Sequence, residues 1–324
     1  MLRQAYRSVI GVRGPNLGLQ CLAWLSSGLE RAKARVDGLA VDIRRNRNRD
    51  LLLAMHAAVL GTPPLACNPA AETAVHTVTG HHHFLMYLTA TKSLLRYAGD
   101  LAVVLHDDGT LDAEDVALLR AHLPGVTYVD RKSADEQMNG LLAGYPHCRK
   151  LRERVVNSLE LFDHLLLAPR PRLINMNSDV LFLREPLELV TWIAGAEPSI
   201  VGVFEAEPFG QAAFLKRHGS AFPPHVTTAL ACLYPDTVDL DFVERILSVT
   251  TPDWFVAQNV YPLLFERQAA KHAARFFDER AYQASGVFGE GAVFRHYWSS
   301  TGKFTSIQEE DSARVLSELG ARRL

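Results

Sequence analysis

The sequence is short of the features that most readily assign a protein. It has four cysteines in 324 residues, Cys21, Cys67, Cys148 and Cys232, and none stands in a Cys-x-x-Cys spacing. This argues against a structural zinc site and a disulfide framework, and it fits a reducing compartment. Neither sign of charge is in large excess: 34 Lys and Arg face 36 Asp and Glu, for a formal net charge of −2. There is thus no electrostatic basis for binding nucleic acid. No apolar run approaches the ~20 residues of a membrane span. The N-terminus also lacks a clean secretory signal with a small-residue cleavage site. Together these absences lead us to expect a soluble, cytoplasmic protein. What is present is 48% hydrophobic and 22% charged, an ordinary globular composition, long enough for one large domain or two small ones.

Residues 1–70 read as an N-terminal helical extension and linker, and residues 71–324 as the main domain. Leu19, Leu22, Trp24, Leu25 and Leu29 recur at mixed helical spacing, followed by Arg31, Lys33 and Arg35 and by the basic run Arg44-Arg-Asn-Arg-Asn-Arg49. One reading is an amphipathic helix packed on the main domain with its charged face in water. The other is a peripheral membrane or partner contact, because basic amphipathic helices favour anionic surfaces. Pro63, Pro64 and Pro69 mark residues 61–72 as the linker.

From Thr73 the pattern changes. A β-rich run at 74–79 precedes a helix over 82–97, an apolar strand at 101–105, a helix over 112–122 and a strand at 126–129. This β-α-β-α-β alternation predicts a mostly parallel sheet with helices on both faces. A further strand is expected at 200–204, then a loop-rich stretch over 205–230 and an amphipathic helix over 238–247.

The most informative stretch is Leu173-Ile-Asn-Met-Asn-Ser-Asp-Val-Leu-Phe182. An apolar strand runs into Asn177, Ser178 and Asp179 and then resumes. Ligands of open α/β sheets bind at the carboxyl ends of strands. Residues i and i+2 of an extended segment point the same way, so Asn177 and Asp179 can face one point. Oxygen donors there suit Mg²⁺ or Mn²⁺, which also bind substrate phosphates. The alternative is a turn whose Asn and Asp bond only local backbone.

This segment resembles the Asp-x-Asp region of GT-A glycosyltransferases, the nucleotide-diphospho-sugar transferase superfamily, with Asn177 in place of the first acid and Val180-Leu-Phe182 and Pro186 following as in that family. The resemblance implies an α/β GT-A fold: a Rossmann-like three-layer α/β/α sandwich around a mixed, mostly parallel sheet. It implies a donor that is a nucleotide-diphosphate sugar, an acceptor that is a glycan, lipid or protein, and a divalent cation. By the same resemblance Asp179 and the late His296 ligate the metal, with Asn177 a weaker, uncharged helper. Lys303, beyond Gly302, and Arg152 in the basic run Arg149–Arg154 approach the diphosphate. His76, Thr77 and Thr79 line the nucleotide, with Asn177 and Ser178 beside it. Asp253 is the candidate general base and Gln258 its companion. The sequence departs from the family at Asn177, at Glu160 (where a Lys-Leu pair is usual), and at Ala257 (where an acid is usual).

Two other functions compete. A GT-A-folded binding or scaffold protein that has lost catalysis would account for those three departures. A dehalogenase-type phosphatase is suggested by Asp108-Gly-Thr-Leu111, but the nucleophile expected two residues earlier is His106. Asp107 and Asp108 are then expected to cap the next helix and hold a turn. The adjacent His81, His82 and His83 cannot converge on one ion and are expected to be helix-start surface.

Overall fold

The computed structural model describes residues 50–167, 170–205, 210–269, 271–284, 288–298 and 305–321. Contacts group residues 51–324 into one compact unit. The basic run and the amphipathic segment before it, with the membrane contact expected of them, lie outside the described residues. Within the compact unit, a helical stretch over residues 50–56 is followed by a turn of 3-10 helix at Ala57–Gly61. Cys67, in the stretch expected to form the linker, is buried in the core, as is Val59 just before it.

The strands are β1 (Thr73–Thr79), β2 (Ala102–Asp107), β3 (Thr127–Val129), β4 (Arg172–Met176), β5 (Val180–Phe182), β6 (Ser199–Phe204), β7 (Val226–Leu233), β8 (Ala273–Phe276), β9 (Tyr282–Ala284) and β10 (Phe294–His296). The helices are α1 (Phe84–Leu95), α2 (Ala113–His122), α3 (Arg131–Leu141), α4 (Pro146–Arg154), α5 (Leu159–Leu166), α6 (Leu187–Ile193), α7 (Gln211–Arg217), α8 (Leu240–Ser248), α9 (Val256–Gln268) and α10 (Thr305–Ala321). The main sheet has seven strands in the order β3-β2-β1-β4-β7-β6-β8. β7 runs antiparallel to both its neighbours, and the other pairings are parallel. A second sheet, β5-β10-β9, has three short strands.

The layers follow from the alternation of side chains along each strand. Val75, Val103, Leu105, Ile174, Cys232 and Val201 face one core, shared with Phe84, Tyr87 and Leu88 of α1, Trp192 of α6 and Leu316 of α10. Leu173, Ala231, Leu233 and Ile200 face the other, with Met138 of α3, Leu151 of α4, Phe162 of α5 and Tyr261 of α9. The central strands are buried on both faces, as parallel strands between two helical layers are. The sequence-based expectation of a three-layer α/β/α fold with a mixed, mostly parallel sheet holds.

Three local expectations change. The stretch 205–230 is not all loop: Val226–Leu233 is β7, buried along its whole length, and its threonines and alanines are compatible with an interior strand because of their neighbours. The segment from Tyr145 through Leu166, whose sequence reads as a helical run, breaks at Val155, whose extended backbone separates α4 from α5. The cap of α2 is Asp112, which accepts from the amides of Glu114 and Asp115. Asp107 instead holds the preceding turn, accepting from Gly109, Thr110 and Leu111 amides and from the Tyr128 hydroxyl. Among the described residues no helix is long and apolar enough to cross a membrane.

The turn between α2 and β3 depends on Gly125, at φ +89°, where a Cβ would lie 2.6 Å from the Cys67 carbonyl oxygen. That carbonyl belongs to the segment whose Cys67 amide donates to Pro124 O at 2.7 Å. Gly125→Ala is therefore expected to destabilise the protein by about 1–3 kcal/mol. A lower urea midpoint at unchanged denaturant slope is the measurement.

Candidate active site

β4 ends at Met176, and its exit is tied to the neighbouring strand by the Asn177 amide, which donates to Ala229 O at 3.0 Å. Asn177, Ser178 and Asp179 form the polar step before β5. β5 pairs antiparallel with β10, with His296 opposite Val180, and the Tyr297 amide donates to Asp179 O at 3.0 Å. This register brings the His296 imidazole beside the Asp179 carboxylate, Nε2 to Oδ1 at 3.3 Å. Asn177 Oδ1 and His296 Nδ1 are buried and have no hydrogen-bond partner among the described residues. The donor set is one carboxylate, one amide oxygen and one imidazole nitrogen, a chemistry that fits a divalent cation such as Mn²⁺ or Mg²⁺. Another cluster, His81 with Asp112 and Asp115, could also hold an ion. Its Asp112 and Asp115 already form the capping box of α2.

Asn177, Ser178, Asp179 and His296 line a cleft of about 410 Å³ at the carboxyl ends of the parallel strands. Thr79, Gly80, His83 and Asp108 close one end, and Thr227, Thr228, Trp254, Phe255 and Gln258 the other. A Cβ at Gly80 would meet the Asp108 carboxylate at 2.3 Å, so a side chain there would displace that carboxylate. Trp298 also lines the cleft with a left-handed backbone, φ 49°. A bulky residue in that region is strained, and such strain gathers at functional sites. The lining carries the carboxylates of Asp108, Glu160 and Asp179 and, among its described residues, no Lys or Arg.

Glu160 is the feature the sequence reading undervalued. It begins its turn of α5 facing the cleft, 6% exposed. Burial pushes its carboxyl up to about 7, and the Asp179 charge adds to this, while hydrogen bonds from Thr228 and Asn175 and the nearby His296 act the other way. A carboxyl with that environment, in a cleft, marks a functional position. The signal available in the sequence was its charge, a lone acid between the apolar Leu159 and Leu161. His83, also expected to be surface, lines the cleft as well.

The remaining candidates divide. Thr79 and Gln258 line the cleft; the Gln258 side-chain amide also reaches Val226 O at 3.3 Å. His76 and Thr77 do not: they sit inside β1, fully enclosed. His76 Nδ1 lies 2.9 Å from His106 Nε2, and its ring packs against His106 and His164. Burial holds all three imidazoles well down, His164 at about 4, so they stay neutral. Arg152 does not reach the cleft either. Its guanidinium is buried in a two-pronged pair with Asp163, at 2.7 Å on each prong, and a third bond at 2.7 Å to Asp135. Asp253 is exposed, accepts from the Phe255 amide at 2.8 Å in the turn before α9, and lies outside the lining. Gly302 and Lys303 lie outside the described residues.

Two outcomes follow from these environments. Because the folded-state value for Glu160 lies above its ordinary 4.5, its stabilising contribution is complete below that value and is lost as pH rises through about 7. With chelator present, Glu160→Gln should be more stable than the parent at about pH 8, by on the order of 3 kcal/mol, with the gap closing near pH 5. Urea midpoints across that range test it. Arg152→Met leaves Asp163 buried and unpaired and should cost on the order of 3–5 kcal/mol, most of it recovered when Asp163→Leu is added. Equal loss in the single and double variants would contradict the structural role of Arg152.

No protein-family model matches the sequence, and none of the curated proteins is similar to it. Similar solved structures include the galactosyltransferase LgtC in complex with donor and acceptor sugar analogues, at 13% identity and TM-score 0.48, covering 74% of this chain and 95% of that one. Mouse xyloside xylosyltransferase 1 is similar at 15% identity and TM-score 0.43, over 72% of this chain and 98% of that one. The glycosyltransferase GlyE of Streptococcus pneumoniae is similar at 15% identity and TM-score 0.47, over 76% of this chain and 63% of that one.

Proposed function

We propose that the chain is a metal-assisted glycosyltransferase that moves a sugar from a nucleotide-diphosphate donor to an acceptor hydroxyl. The observation that carries this reading is the meeting of Asp179 and His296, 3.3 Å apart, at the floor of a cleft on the carboxyl edge of the sheet. Asp179, His296 and Asn177 would hold Mn²⁺ or Mg²⁺. When bound, the cation supplies the positive charge that a departing diphosphate needs. The described lining has no Lys or Arg to do so.

In the transfer, an acceptor oxygen bonds to the anomeric carbon and the bond from that carbon to the diphosphate oxygen breaks. The electron pair leaves with the diphosphate, and the hydroxyl proton passes to the leaving group or to water. The contribution of this chain is positioning and shielding. Thr79, Gly80 and Asp108 border the nucleotide end, Ser178 and Asn177 the diphosphate, and Glu160 and Gln258 the end where the sugar meets the acceptor. A second reading, a binding protein without turnover, is favoured by the neutral amide at Asn177, which gives the cation one charge less to hold it.

The test is the melting temperature with Mn²⁺ and UDP or GDP present, since a ligand of the folded state raises it. A rise is expected in the parent and its loss in Asp179→Asn and His296→Ala. Asn177→Asp should tighten Mn²⁺ binding on the order of tenfold. No rise with any nucleoside diphosphate at any Mn²⁺ concentration would sink the proposal. Binding without hydrolysis or transfer of a sugar nucleotide would select the second reading.

A further inference from the structure

The two ends of the cleft differ in chemistry. Near β1 and β2 it is bordered by backbone turns at Gly80 and Asp108, the place where α/β sheets receive a nucleotide. The candidate cation site lies between the ends. At the far end the chain presents Trp254 immediately before α9, 53% exposed and stacked on no other ring among the described residues. Around it on the lining are the side chains of Gln258, Thr228 and Glu160.

What singles out Trp254 is its place on the cleft lining, where its aromatic face is open to a ligand. A pyranose ring is such a ligand. Its axial C–H groups form an apolar face that covers an indole, while its hydroxyls require amide, hydroxyl or carboxylate partners at the edge. Ligand sites in general combine an aromatic wall with a few convergent polar groups. The polar groups here also speak against other acceptors. A phosphorylated or nucleic-acid acceptor would bring negative charge toward Asp108, Glu160 and Asp179, with no Lys or Arg among the described lining residues to meet it. An acyl chain would need an apolar trough, and Thr227, Thr228 and Gln258 break the surface beside Trp254.

We propose that the acceptor is a neutral saccharide whose terminal ring stacks on Trp254 and hydrogen-bonds to Gln258 and Glu160. This rests on the glycosyltransferase reading and adds the acceptor class to it.

The experiment uses the full chain with Mn²⁺ and UDP or GDP, applied to an array of neutral oligosaccharides, anionic oligosaccharides and Ser- and Thr-containing peptides, with phosphatidylcholine vesicles tested alongside. Binding is expected on neutral saccharides. Trp254→Ala should weaken it about tenfold and Trp254→Phe by less, in keeping with the loss of one aromatic contact. Both variants are checked for fold by the melting temperature rise with nucleoside diphosphate. Retention on peptides, vesicles or anionic glycans but on no neutral saccharide overturns the proposal, as does neutral-saccharide binding that Trp254→Ala leaves unchanged. A parent protein whose melting temperature no nucleoside diphosphate raises overturns the underlying reading instead, so the two failures are distinguishable.

Discussion

The site depends on the antiparallel pairing of two strands of three residues each. β5 and β10 match Phe182 with Phe294 and Val180 with His296. A slip of one residue would turn His296 to the other face, because side chains alternate along a strand. The register is held from both sides. Phe182 and Phe294 pack edge to face with centroids 5.2 Å apart, and the Leu183 amide donates to Val293 O at 2.7 Å. α1 adds two clamps: Arg96 donates to the Phe182 carbonyl at 2.7 Å, and the Phe182 amide donates to the Ser93 hydroxyl at 3.0 Å. An apolar core thus fixes the position of the polar pair at its rim.

The charges in the cleft have been rearranged around that pair. The motif carries one carboxylate at Asp179, and the second acid in the neighbourhood comes from α5, at Glu160. Burial first, and the Asp179 charge in addition, keep the proton on Glu160 near neutrality. Arg152, on the helix that precedes α5, is withdrawn into the core by Asp163 and Asp135. The cleft is left acidic, aromatic and amide-lined. Such a surface favours a cation and uncharged hydroxyl-rich ligands over bare anions.

The parallel half of the sheet was legible in the sequence because buried strands and amphipathic helices each carry their own period. Strands β1, β2, β3, β4 and β6 fall where the apolar runs predict them. β7 was missed, since the polar threonines and small alanines of Thr227-Thr-Ala-Leu-Ala231 give no continuous apolar run, and only pairing between β4 and β6 shows them to be an interior strand. The step from Asn177 to Asp179 and the late His296 were recognisable from their order along the chain. His76, Thr77 and Arg152 misled for one reason: whether a polar side chain faces a cleft or a core partner depends on a rotation of the chain that its own residue type does not encode.

Local chemistry in the sequence by itself determined the class of fold and the strand that bursts into oxygen donors, while the expectation that His296 joins Asp179 came from the resemblance to a family. Only the tertiary structure decided that Glu160 and Trp254 join them and that Arg152, His76 and Asp253 do not. Periodicity reports which side of an element is buried, a property of neighbouring residues. Convergence on a site is set by strand pairing and helix packing between segments far apart in the chain, and by which partner a buried charge finds first.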